Sequence, residues 1–293
     1  MYLLLIPGTL YLIIFKLLPL YGITIAFKEF DMFSADNPVL SIFKSEWVGL
    51  QHFERLFFRE DFHRALKNTL IISCLKIFFL FPIPIIFALM INDIKNKYFK
   101  RTIQTIVYLP HFISWVVVAG IFLQILSTTG MVNNLIVALG GEKIRFFMDN
   151  EVFRWLLVFT EGWKTAGWGT IIYLAALAGV DLELYEAAVI DGASKFQQII
   201  FITLPGIIST IILMLILRVG SVLDAGFTQI LVMYNPTVYE VSDIIQTYVY
   251  RIGLGQMDFS LGTAIGLFNS VVALILIVTS NYISRKAVGK SIW

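Results

Sequence analysis

Glu161 and Lys164 stand three residues apart in an otherwise apolar stretch, so a helix would carry both on one face, close enough to neutralise each other. Charges surrounded by lipid are costly, so each is a candidate either for pairing between helices or for lining a wet pathway. Arg218 and Asp224 share another apolar stretch but lie six apart and off a common face. Their partners must then come from other helices, a second subunit or water. Gln124 and Asn269 carry amides suited to a passing hydroxyl or, more commonly, to a neighbouring helix. Lys16 and Lys76 are read as snorkelling or as facing a neighbouring subunit. Trp115, Trp163 and Trp168 offer flat faces for stacking, or anchors for the membrane interface.

Little else points to chemistry. The three histidines, His52, His63 and His111, are far apart, no Cys or His spacing suits a metal, and no Gly-x-Ser-x-Gly elbow marks a hydrolase. The single Cys74 sits in an apolar run as a small hydrophobe. The tail from Ser284 through Gly289, Lys290 and Ser291 resembles a phosphate-binding loop, but Ser284 replaces the first glycine and no strand precedes it. A basic tail at a membrane face is the better account. The expectation is no catalytic residue, no metal site and no cofactor held by this chain.

The segment 179–205 is too polar at its start to belong to a membrane span. Asp181 can cap a first helix through Ile190, Gly192 permits a tight turn, and Ser194 with Gln197 forms a capping box for a second helix. Pro205 is expected to end that second helix. The result is a helical hairpin with the small residues Ala187 and Ala188 on it, a shape suited to docking.

These features sit in a membrane protein. Of 293 residues, 58% are hydrophobic and 14% charged, against roughly a quarter charged in ordinary soluble domains. The net charge of +2 offers no basic field for nucleic acid. Apolar stretches predict six spans at 2–27, 66–91, 103–126, 152–178, 206–232 and 261–283. No basic segment or cleavage site accompanies the first, so it reads as a retained helix and not a signal peptide. Pro82 and Pro84 should kink the second span, and Gly262 with Gly266 should allow close packing of the sixth. The stretch 28–65 reads as a loop with short interfacial helices. Inner segments 92–102, 179–205 and 284–293 carry 8 basic residues, as many as the much longer outer ones, which favours both termini inside. The whole chain, 1–293, is then one transmembrane domain with an outer loop at 28–65 and a cytoplasmic loop at 179–205.

Glu186-Ala187-Ala188, then Gly192, then Ile202-x-Leu204-Pro205 resembles the complete EAA signature of permease subunits from binding-protein-dependent ABC importers. Trp47-Val48-Gly49-Leu50, Asn68-Thr69-Leu70, the run from Tyr108 to Trp115 and the run from Tyr185 to Ala193 are similar to the carbohydrate branch of these permeases, the branch for oligosaccharides released from polysaccharides in particular. The resemblance implies an all-α, six-helix, type I importer permease fold in the bacterial inner membrane. It also implies a second permease that completes the pathway as a heterodimer, two cytoplasmic ATPase subunits carrying ATP and Mg²⁺, and an extracytoplasmic solute-binding protein.

By the same resemblance Glu186, Ala187, Ala188, Asp191, Gly192, Ile202, Leu204 and Pro205 belong to the element seated in an ATPase. Gln124, Glu161, Lys164, Asp224 and Asn269 are the candidates for the solute pathway. Relatives usually begin with a basic cytoplasmic segment, whereas this chain starts almost inside its first span, so its natural N-terminus stays open. Substrate stays open too: fragments of alginate or pectin, neutral oligosaccharides, or another small solute. The alternative from a different class is an ion-gradient-driven secondary transporter, which would need no docking loop.

Overall fold

The computed structural model describes residues 2–289; Lys290 and Ser291 of the phosphate-loop-like tail lie outside them. The described residues are almost wholly helical, apart from two short strands, Lys28–Glu29 and Glu46–Trp47, which pair antiparallel with Lys28 opposite Trp47. This bears out the all-helical expectation. The expected six spans are not six straight apolar rods, however. Among the described residues four helices are long and apolar enough to cross a membrane: Leu5–Phe27, Glu60–Asn92, Trp115–Ala138 and Phe259–Lys286. The pair Lys195–Gly206 and Ile208–Gly220, bent by 63°, makes a fifth if counted as one.

The departures have local causes. The fourth predicted span is a helix, Asn150–Leu177, whose 28 residues rise about 42 Å, long enough to cross. It falls short in apolarity because Arg154, Glu161 and Lys164 ride on it. The third predicted span breaks: Lys97–Tyr108 runs into a tight turn, Leu109–Phe112, and Ser114 caps a new helix, Trp115–Leu126. Pro110 lies in that turn, where it has no N–H to give. The fifth breaks twice, at the 63° bend by Ile207 and again over 221–226 before Phe227–Met233. The helix that Ser194 caps passes through a π-helical stretch, Ile199–Thr203, and ends at Gly206, one residue beyond Pro205, before the 63° bend.

The chain divides into two compact units, residues up to 66 with 244–272, and 67–243 with residues from 273. In the first, Ala26, Leu56, Phe62, Tyr248, Leu261 and Ile265 are buried. The stretch 28–65 folds onto this core and holds the short helices Pro38–Lys44 and Gln51–Phe57. Ser260 Oγ donates to the Lys28 carbonyl at 2.7 Å and accepts the Phe30 N–H at 2.9 Å, which ties the strand to the sixth-span helix. Gly262 approaches the Gly253 backbone so closely that a Cβ there would lie 3.0 Å from the Gly253 Cα. Around Gly266 there is open space.

In the second unit the second span is interrupted at Phe81, between Glu60–Leu80 and Pro82–Asn92, as the two prolines require. The helix Asn150–Leu177 packs on it through glycines: a Cβ on Gly162 would come within 2.8 Å of Leu80, and one on Gly169 within 2.9 Å of Pro84. Gly167 is tighter still, since a Cβ there would stand 2.0 Å from the Val107 carbonyl oxygen. Small residues let helix backbones approach where lipid supplies no hydrophobic drive. Ala88, Tyr173, Leu177 and Ile207 close the core at one end of this contact.

Candidate functional site

Two places in the second unit concentrate the predicted site residues. The first is the hairpin at 181–205. The Asp181 carboxylate accepts the Glu183 N–H at 3.0 Å and starts the helix Leu182–Ile190. Gly192 then turns the chain at φ +77°, a region that costs residues with a side chain about 1–2 kcal/mol. Ser194 and Gln197 form the expected reciprocal box: the Ser194 N–H donates to Gln197 Oε1 at 2.7 Å, and the Gln197 N–H to Ser194 Oγ at 3.3 Å. Tyr185 and Thr203 hydroxyls, 2.9 Å apart, tie the two arms together.

The surface of this hairpin is unusual. Leu182, Val189, Ile190, Phe196 and Phe201 are all more than 60% exposed, beside the exposed Glu186, Asp191 and Gly192. Exposed apolar and charged side chains thus share one short, capped hairpin. Ala188, Ile202 and Leu204 are half-buried, while Ala187 and Pro205 are exposed.

The second place is a polar cavity of about 550 Å³, its open mouth included, lined by Ser73, Lys76, Trp115, Glu161, Thr165, Arg218, Ser221, Asp224 and Gly226, among others. Its floor is an ionic network between three spans. Lys76, buried, reaches Glu161 Oε2 at 2.5 Å and donates to Gln229 Oε1 at 2.6 Å and to the Ala225 carbonyl at 2.7 Å. Arg218 donates to Glu161 Oε1 at 2.8 Å from the more open side. Gln229 in turn donates to the Leu157 carbonyl and to Thr160 Oγ1, each at 2.7 Å.

The network explains how the fifth span can be unwound inside a membrane. Over 221–226 the chain passes through two left-handed residues, Ala225 at φ +50° and Gly226 at φ +86°, so backbone groups leave the helical ladder. In lipid each unsatisfied group would cost several kcal/mol. Ser73 Oγ donates to the Val222 carbonyl and Lys76 to that of Ala225, so the second span supplies what the fifth has lost. Gly226 is demanded by φ, and a Cβ there would lie 2.6 Å from Lys76 Nζ, so the ammonium would have to shift.

The expected Glu161–Lys164 pair does not form. Both are buried on one helix, but Glu161 turns to Lys76 and Arg218, whereas Lys164 donates to backbone carbonyls of the third span. Lys76 is no snorkelling residue, and Arg218 has found its partner on the fourth span. Of the five pathway candidates, Glu161 and Asp224 meet at the cavity; Gln124, Lys164 and Asn269 do not line it. Gln124 is exposed on its helix. Asn269 Oδ1 is buried with no hydrogen-bond partner among the described residues. Trp115 stands in the cavity wall, Trp163 in an apolar groove, and Trp168 stacks on His111 at 4.4 Å. Gln229, Thr160 and Ser73 escape a sequence reading because uncharged polar residues are ordinary in spans. Only the fold marks them: Gln229 takes a hydrogen bond from Lys76, Thr160 takes one from Gln229, and Ser73 gives its own to the Val222 carbonyl.

Residues 81–290 match the profile of the family described as "Binding-protein-dependent transport system inner membrane component". The chain belongs to this family. It is a non-catalytic permease subunit of an ABC importer, a multi-pass protein of the inner membrane, as the EAA resemblance implied. Protein LplB of Bacillus subtilis (strain 168) is 50% identical over 287 residues, 98% of this chain and 88% of that one. The polygalacturonan/rhamnogalacturonan transport system permease protein YteP of the same organism is 45% identical over the same shares. A chain in the crystal structure of a bacterial ABC transporter involved in the import of the acidic polysaccharide alginate is 42% identical, with a TM-score of 0.89 over 98% of this permease and 95% of that chain. Another, from the bacterial alginate ABC transporter in complex with an alginate pentasaccharide-bound periplasmic protein, is 41% identical with a TM-score of 0.90, covering 99% and 96%.

Proposed function

We propose that this permease forms half of the pathway by which an oligosaccharide enters the cell, and that the 181–205 hairpin seats in an ATPase subunit. The observation that carries the coupling role is the hairpin itself: exposed apolar residues beside Glu186 and Asp191, turned at Gly192 and held by the Ser194–Gln197 box and the Tyr185–Thr203 contact. A rigid knob can transmit the movement of an ATP-driven partner, whereas a flexible loop would absorb it. Glu186, Ala187, Ala188, Asp191, Gly192, Ile202, Leu204 and Pro205 make up this element.

In this reading one permease domain, 1–293, keeps both termini and the loop 179–205 in the cytoplasm and the loop 28–65 outside. Two ATPase subunits bring ATP and Mg²⁺, a different permease completes the pathway, and a solute-binding protein delivers the sugar. The cavity bounded by Glu161, Arg218, Asp224 and Trp115 is where the solute passes. Charged groups, hydroxyls and an indole among the lining residues suit a pyranose ring, which has polar edges and apolar faces. Gln124 and Asn269, which do not line this cavity, are proposed as further pathway residues. The sugar class is supported by two relatives, one named for polygalacturonan/rhamnogalacturonan transport and one from a transporter involved in the import of the acidic polysaccharide alginate.

The test is reconstitution of the permease pair with its ATPases in vesicles. Uptake of a trisaccharide is expected to require ATP and the binding protein, and to be lost in Gly192→Pro while the variant still inserts. Uptake driven by a proton or sodium gradient without ATP would refute the proposal.

A further inference from the structure

Lys164 is a buried ammonium whose contacts all belong to the break in the third span. Its Nζ donates to the carbonyls of His111 at 2.6 Å, Ile113 at 2.7 Å and Pro110 at 3.4 Å, three acceptors for its three hydrogens. Among the described residues it makes no ion pair. The break explains the need. Where a helix stops inside a membrane its last carbonyls lose their donors, and a buried carbonyl without one is costly. One backbone bond, from the Ile113 N–H to the Pro110 carbonyl, spans the turn itself.

The same ammonium lies 5.5 Å from the centroid of the Trp115 ring, within the range where a cation is held by an aromatic face. Trp115 follows the bound Ile113 carbonyl by two residues and begins the next helix, which Ser114 caps. One turn further along the fourth span, Trp168 lies parallel to His111, at an interplanar angle of 3°. Residues four apart on one helix face thus hold the break at two points, Lys164 on its carbonyls and Trp168 on its imidazole. Trp115 in turn forms part of the cavity wall, to which Lys164 itself does not belong.

We infer that Lys164 is a positioning residue: its ammonium, seated on the carbonyls where the third span breaks, sets where the Trp115 ring stands in the wall of the cavity. Its part in transport rests on the reading of that cavity as the solute's path. A lysine suits the task because a compact ammonium splays three donors from one atom, whereas the five donors of a guanidinium all lie in one plane.

The experiment uses the assembled importer in nanodiscs, labelled with 5-fluorotryptophan, with the Trp115 resonance assigned by its loss in Trp115→Phe. In Lys164→Met that resonance is expected to move, and KM for uptake of a trisaccharide to rise about tenfold, the scale of one lost contact, with ATPase co-purification unchanged. Lys164→Arg, which keeps the charge, should move both less. A Trp115 resonance that stays in place in Lys164→Met would overturn the inference. So would a KM that rises for a uronic-acid trisaccharide but not for a neutral one while the resonance stays, since Lys164 would then act by its charge. If Lys164→Met does not fold, Lys164→Gln, with two donors and no charge, carries the same test. If the resonance moves but Trp115→Phe and Arg218→Gln leave KM unchanged, the positioning of Trp115 holds and the cavity is not the path.

Discussion

Replacing Lys76 by methionine should destabilise the permease far more than any exposed charge change, and the loss should be recovered in part by removing Glu161 as well. Lys76 is buried and gives one donor each to Glu161, Gln229 and the Ala225 carbonyl. Breaking a buried ion pair from one side costs about 3–5 kcal/mol, because the other charge is left behind. Arg218 stays on Glu161 at 2.8 Å, which holds the loss near the lower end of that range. The orphaned Ala225 carbonyl and Gln229 oxygen each add about 1 kcal/mol, and methionine's own burial returns a similar amount. The expected net loss is about 3 kcal/mol, an apparent Tm lower by roughly 5 °C for a chain of this size. Glu161→Gln alone should cost a similar amount, since it strands the buried Lys76. The double variant Lys76→Met/Glu161→Gln leaves only the partly exposed Arg218 unpaired, so it should lose less than the sum of the two by about 2 kcal/mol. Thermal unfolding of the four proteins in one detergent gives the cycle. Additive losses would refute the reasoning, because they would mean that Lys76 and Glu161 do not depend on each other.

Gly167→Ala should cost at least about 2 kcal/mol in the same assay, because its Cβ would meet a backbone oxygen that cannot turn aside; Gly120→Ala, with open space around it, should be neutral or stabilising. Gly192→Ala, strained by φ +77° but free of neighbours, should leave insertion intact and lower the fraction of ATPase that co-purifies, by about tenfold for 1–2 kcal/mol of distortion. Asp93→Asn should change stability by less than about 1 kcal/mol, and less still in high salt, because its pair with Lys195, though only 2.5 Å long, is exposed on both sides. Tyr185→Phe removes the hydroxyl that ties the two arms of the hairpin and should raise hydrogen exchange at 199–203 without altering the spans.

The hairpin was legible residue by residue because every signal in it is local. Asp181, Gly192, Ser194 and Gln197 act on backbone groups within three positions of themselves, so neighbours in sequence are enough to place the caps and the turn. The same holds for the interruption at Pro82. The EAA spacing carried the family for a related reason, since a docking knob is a short contiguous stretch.

The ion pairs were not legible, and the reason is geometric. Helical spacing says that Glu161 and Lys164 share a face, but not which neighbouring helix meets that face at which height. Glu161 found partners 85 residues before it and 57 after it, and Lys164 found carbonyls that exist as acceptors only because the third span breaks. The breaks themselves are tertiary decisions. The run 206–232 is apolar throughout most of its length and reads as one helix, yet it unwinds over 221–226 because Ser73 and Lys76 on another span stand ready to take its carbonyls. Sequence alone determined the membrane, the hairpin and the family, which depend on composition and on nearest neighbours. Only the tertiary structure decided which charges meet and where the helices open, because in a solvent without hydrogen bonds each polar group must find its partner on another part of the chain.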